Sequence, residues 1–163
     1  MNLKMMSSLV FAGLGMLFLG SPNASAGDSG KKVTIGVQDL TAKGVDKDTV
    51  STLTDLLCTE VSKDKRFEVG CADDLRAVLA NSGLNIKLGG CDDGECLKKL
   101  GTALNKEKFI SGSVGKIGKS YVITLKMSDA ATGKVEKRAS QTVEGDVSKL
   151  LDGIKKAAKA LLK

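Results

Sequence analysis

Residues 89–143 read GGCDDGECLKKLGTALNKEKFISGSVGKIGKSYVITLKMSDAATGKVEKRASQTV, and the fold class follows from the periods inside this stretch. Tyr121, Ile123, Leu125 and Met127 alternate with Thr124, Lys126 and Ser128, broken only by Val122, which is the period of a strand buried on one face. This strand runs over Ser120–Ser128. Phe109–Lys116 precedes it as another strand, and a turn at Ile117–Lys119 containing Gly118 joins the two as a hairpin. Asp129–Gly133 forms the next turn. The strand that follows, Lys134–Glu144, is apolar only at Val135, Ala139 and Val143, a composition suited to a sheet edge. Ahead of the hairpin, Leu97, Leu100 and Leu104 recur at helical spacing, and Asp92, Asp93 and Glu95 place negative charge where a helix macrodipole favours it. The leucine face of that helix is expected to meet the row Tyr121, Ile123, Leu125, Met127.

Toward the N-terminus, Val33, Ile35 and Val37 alternate with Thr34, Gly36 and Gln38 as a first strand, and Thr41–Val45 reads as a loop. Asp46 N-caps a helix whose apolar positions are Val50, Leu53, Leu57 and Val61, widened by Leu56. Phe67, Val69 and Cys71 define a second strand. Asp73 or Asp74 caps a short helix carrying Leu75, Val78 and Leu79, which stops at Asn81-Ser82-Gly83 before a connector at Leu84–Gly90. At the other end, Asp146 caps a last helix with an apolar face of Leu150, Leu151, Ile154, Ala157, Ala158, Leu161 and Leu162. Its lysines, Lys149, Lys155, Lys156, Lys159 and Lys163, face outward. The fold class is α+β: a mixed sheet of about five strands with helices packed against it, in the order β-α-β-α-α-β-β-β-α.

The first residues read as a secretory signal, with charge at Met1 and Lys4, an apolar run Leu9–Leu19, and small residues at Ala24-Ser25-Ala26. The run falls well short of the roughly 20 residues of a spanning helix, so cleavage after Ala26 is expected rather than a membrane anchor. No cysteine follows the run as a lipid acceptor. The domain plan is therefore a cleaved signal over 1–26, a flexible leader over 27–32 and one domain over 33–163. Periplasmic residence follows, with secretion beyond the outer membrane left open. A formal charge of +6 on 163 residues is moderately basic, and beyond the signal only Phe67, Phe109 and Tyr121 are aromatic. That is a poor stacking platform, so no nucleic-acid partner is expected.

All four cysteines lie beyond the signal, and an even count in an exported chain reads as two disulfides. Cys71 points toward the core that the first helix covers, and Cys58 sits on the shoulder of that helix, so Cys58 pairs with Cys71. Cys91 and Cys96 then close a small ring at a helix start, with Gly94 easing the turn. The chain-entropy model assigns the two bridges about 3 and about 2 kcal/mol.

Several chemical motifs are approached and missed. SVGKIGKS at Ser113–Ser120 resembles a phosphate loop, but its first glycine falls one residue early at Gly112 and a strand follows where a helix N-terminus is required. Gly112, Gly115 and Gly118 miss the dinucleotide-fingerprint spacing. Asp92-Asp93-Gly94-Glu95 lacks the alternating ligands of a calcium loop, and the cysteines contain no C-x-x-C for zinc or thiol exchange. Histidine is absent throughout, which removes the side chain most suited to acid–base work near neutral pH. No enzyme, cofactor or metal is expected.

A pattern of Leu100-Gly101, Leu104, Gly112-Ser113-Val114, Gly118, Tyr121-Val122-Ile123, Leu125, Asp129 and Thr132-Gly133 resembles the N-terminal domain of TolB and the related CsgG-like and LpoB-like envelope domains. The likeness spans about residues 33–162. It implies helices against a mixed sheet and a non-catalytic role in envelope complexes. The chain departs from the relatives in having no propeller domain, no pore-forming element and no lipid-anchoring cysteine, and in carrying Leu104-Asn105-Lys106-Glu107 where an apolar-rich segment is usual. The function expected is an exported adaptor that binds envelope protein through the edge strand (Lys134, Lys137, Arg138) or the last helix (Lys149, Lys155, Lys156, Lys159). The alternative is weak contact of that basic helix with anionic cell wall or membrane surface, without the chain being an integral membrane protein.

Overall fold

The computed structural model describes residues 30–163; the signal and its cleavage site lie outside the described residues, as do residues 27–29 of the leader. The elements are β1 (Val33–Val37), β2 (Thr41–Lys43), α1 (Lys47–Ser62), β3 (Phe67–Gly70), α2 (Ala72–Ser82), α3 (Gly94–Leu104), β4 (Lys108–Ile117), β5 (Ser120–Asp129), β6 (Val135–Glu144) and α4 (Lys149–Leu162). They build a mixed α+β fold on one sheet in the order β3-β1-β4-β5-β6, with β2 also paired to β4. The β3–β1, β1–β4 and β2–β4 pairs are parallel, while β4–β5–β6 is an antiparallel meander.

Period-2 alternation divides the apolar residues between the two faces. Ile35, Val37, Ile110, Val114, Ile123, Leu125 and Met127 point to one side, where α1 contributes Val50, Leu53, Leu57 and Val61 and α4 contributes Leu150, Ile154, Ala157, Ala158 and Leu161. Phe109 points the other way, into a smaller cluster with Leu75 and Leu79 of α2, Leu88 of the connector, Leu97, Leu100 and Leu104 of α3, and Ala130. Gly36 lets the Phe109 ring lie against β1, because a Cβ there would fall 2.5 Å from the ring.

This division corrects the expected partner of α3. Its leucines are buried on the face opposite the row Tyr121, Ile123, Leu125, Met127, because Phe109 and Ala130, out of phase with that row, supply the surface they meet. Thr41–Lys43, read as loop, is a three-residue strand held to Ser113–Gly115. Such a segment is too short for its period to show, and its partner is distant in sequence. Cys71 is not in β3 but occupies the N-cap position of α2, so Asp73 and Asp74 lie in the first turn instead of capping it. Ser148 directly precedes α4, and Asp146 acts through its backbone carbonyl, which accepts from Lys149 N–H at 2.9 Å. Val78 and Leu151, assigned to apolar faces, are 48% and 44% exposed.

Asp46 caps α1 by accepting from Thr49 N–H at 2.9 Å, and Asp93 caps α3 by accepting from Cys96 N–H at 2.8 Å. Two disulfides, Cys58–Cys71 and Cys91–Cys96, are present. The first joins α1, on the larger core, to the start of α2, on the smaller one. The second lies within the smaller cluster at the start of α3. The C-terminal end of α4 is held by Arg66, which donates to the Leu162 carbonyl at 2.7 Å while also pairing with Asp64 at 2.6 Å.

Candidate functional site

Helices α2 and α3 cover only part of their face, which leaves the β4–β5–β6 meander with a polar surface beyond Phe109. Cross-strand register aligns Thr41, Ser113, Thr124 and Ser140 in one row and Ser111, Lys126 and Arg138 in the next. These side chains alternate with Val114, Ile123 and Leu125, so burial of the apolar row forces the hydroxyls and cations to the opposite side. All of them except Ser140 line a groove of about 280 Å³ bounded by Asp39 after β1, Lys43 of β2, and Gly90 and Asp92 from the segment before α3.

The charges in this groove are largely paired. Lys126, with a side chain 19% exposed, meets Asp92 at 2.7 Å. Asp39 is bonded by Arg76, which also holds Asp73. Both groove carboxylates are thus engaged by cations, an arrangement poorly suited to general-base work. Among the described residues Lys43 and Arg138 form no ion pair, and with the hydroxyl rows they present two free cations and a grid of donors and acceptors. Such a surface recognises polar or acidic groups by hydrogen bonding and charge.

The basic residues singled out in the sequence are all exposed, but they do not converge. Lys134 precedes β6. Lys137 pairs across from Met127 on the helix-covered side, whereas Arg138 pairs across from Lys126 on the open side. Lys149, Lys155, Lys156 and Lys159 lie on the outer surface of α4, interrupted by Asp152. Glu60 of α1 sits beside them. Its hydrogen bond from the Lys63 ammonium, 2.6 Å away, holds the carboxyl below its usual range, with burial opposing and Lys155 and Lys159 adding to the lowering. The helix's apolar face is buried in the larger core, so α4 does not present it to a bilayer.

Thr41, Lys43, Asp92, Ser111, Ser113, Thr124 and Lys126 were missed by reading the sequence for motifs. The signal was there: the out-of-phase positions of β4 and β5 are polar, whereas a strand covered on both faces is apolar at nearly every position. The phosphate-loop-like stretch is the β4–β5 hairpin itself, with Gly118 at φ 59° in its turn.

No protein-family model and no curated protein sequence matches the chain. Solved structures do match: the chain shares its fold with the C-terminal domain of LpoB and with part of TolB. The C-terminal domain of LpoB from Salmonella enterica superposes with a TM-score of 0.55 at 10% identity, covering 71% of this chain and 87% of that one. Lipoprotein GNA1162 from Neisseria meningitidis gives a TM-score of 0.56 at 12% identity, covering 80% and 99%. TolB from Acinetobacter baumannii gives 0.50 at 10% identity over 82% of this chain and 29% of its own. At these identities the likeness is one of fold.

Proposed function

We propose that this chain is a non-catalytic accessory domain of the bacterial cell envelope that works by binding another envelope protein. In this reading the signal is removed after Ala26, the leader 27–32 stays flexible, and residues 33–163 act as one domain in the periplasm. The fold shared with LpoB and a lipoprotein supports the compartment, as do two disulfides, which persist in oxidising surroundings. Among the described residues no helix is long and apolar enough to cross a membrane.

The observation that carries the binding role is the half-open polar face of β4–β5–β6, with Lys43 and Arg138 in no ion pair among the described residues and set beside the hydroxyl rows. Lys134 and Lys137 extend the contact around the β6 edge, and Lys149, Lys155, Lys156 and Lys159 offer a second surface on α4. Affinity capture of the exported, disulfide-intact protein from an envelope extract tests this. One protein should be enriched reproducibly and lost when Lys43 and Arg138 are changed together to glutamate. Repeated capture of nothing above background would sink the proposal.

A second reading, weak attachment to anionic cell wall or lipid, rests on the lysines along the outer side of α4. Co-sedimentation with anionic vesicles or peptidoglycan should then fall as salt rises. No pelleting at low salt eliminates it.

A further inference from the structure

The sheet has two ends, and they are finished differently. β3 is four residues long and is followed at once by α2. β6 is ten residues long, lies at the opposite edge and contains no proline. From Lys137 to Glu144 it pairs with β5 in unbroken register; the single irregularity falls between Met127 and Ser128, near the start of β6. Natural sheet edges are protected by bulges, prolines, short strands or charge, because their free N–H and C=O groups are templates for another strand. Here the middle of the edge, Ala139–Val143, is uncharged, and the flanking charges on the open side have opposite sign: Arg138 before it and Glu144 after it.

We propose that two copies of this chain pair edge to edge through β6, antiparallel about a two-fold axis at Gln141, with Arg138 of each copy opposite Glu144 of the other. The register follows from face and charge. Residues on the same side of both sheets must meet, so only axes centred on a residue qualify. An axis at Gln141 sets Arg138 against Glu144 and Ser140 against Thr142 on the open side, each twice, and Ala139 against Val143 on the helix side. These are oppositely charged, hydroxyl and apolar cross-strand pairs, the combinations that stabilise a sheet. An axis at Ser140 would oppose Glu136 to Glu144, and one at Lys137 would oppose two lysines. One at Ala139 would draw in the irregular start of the strand, and one at Thr142 would leave Glu144 facing Ser140. Lys137, the lysine within the edge, faces Gly145 of the other copy, where the chain turns away at φ 105°. The pair would set the two open polar faces side by side in a continuous sheet. This association needs no envelope partner, so capture of such a partner and self-pairing can succeed or fail independently.

The test is sedimentation equilibrium of the full exported chain over a wide concentration range. The expected result is a monomer–dimer equilibrium weakened about tenfold or more by Arg138→Glu or by Glu144→Arg, each of which opposes like charges twice, and restored when both are combined. Gln141→Cys should crosslink between copies through a short bis-maleimide more efficiently than Ser140→Cys. A chain that stays monomeric throughout, a double variant as weak as the singles, or a dimer indifferent to all three would overturn the proposal. Circular dichroism of each variant separates misfolding from lost association.

Discussion

The two sides of the β4–β5 hairpin are built from neighbouring residues and do different work. On one side Ile110, Val114, Ile123, Leu125 and Met127, none more than 3% exposed, lie under α1 and α4. On the other, α2 and α3 cover Phe109 and Ala130, and beyond them Ser113, Thr124 and Lys126 line an open groove. A strand thus separates packing from recognition by parity alone. Changes on the first side should be paid in stability, and changes on the second in binding.

The largest test of that contrast is Ile154→Ala, which empties a fully buried position of α4. It should cost about 2–5 kcal/mol in denaturant unfolding. Next come the disulfides. Replacing Cys58 and Cys71 by alanine removes the longer loop and should cost about 3 kcal/mol, against about 2 kcal/mol for Cys91 and Cys96; the reverse order would indicate that local packing outweighs loop closure. Gly36→Ala drives a methyl group into the Phe109 ring and should cost about 1–3 kcal/mol, with the damage centred on the α2–α3 side as read by hydrogen exchange.

Acid should probe the loops that tie that side down. Asp129 accepts from the Thr132 N–H at 2.7 Å and its hydroxyl at 2.8 Å, and Glu107 accepts from the Thr34 N–H at 2.9 Å; these bonds hold both carboxyls below their ordinary values of 3.8 and 4.5. Their folded pKa values lie under the unfolded ones. Their contribution to stability is therefore complete above the ordinary values and disappears as pH falls through the depressed ones. Thermal melts should lose stability below about pH 4, and Asp129→Asn should flatten part of that slope. The smallest effect belongs to the open face: Thr124→Ala should shift unfolding by no more than about 0.5 kcal/mol, so that any loss of partner capture reports recognition.

What the residues determined unaided is the set of elements and their buried positions. Alternation marked β1, β3 and β5, the turns at Gly118 and Asp129–Gly133 bounded β4 and β6, spacings of three and four marked all four helices, and the edge composition of β6 was visible in its polar run. Tyr121, Ile123, Leu125 and Met127 announced one buried row because alternation is a property of consecutive residues. That same local signal says that Leu97, Leu100 and Leu104 are buried without saying against what. Only the tertiary structure decided that α3 crosses to the opposite face to meet Phe109, Leu75 and Ala130, and that Thr41–Lys43 joins the sheet beside β4. Each depends on contacts between segments far apart in the chain, which no local period encodes. The half-open face of residues 89–143 is where those contacts stop.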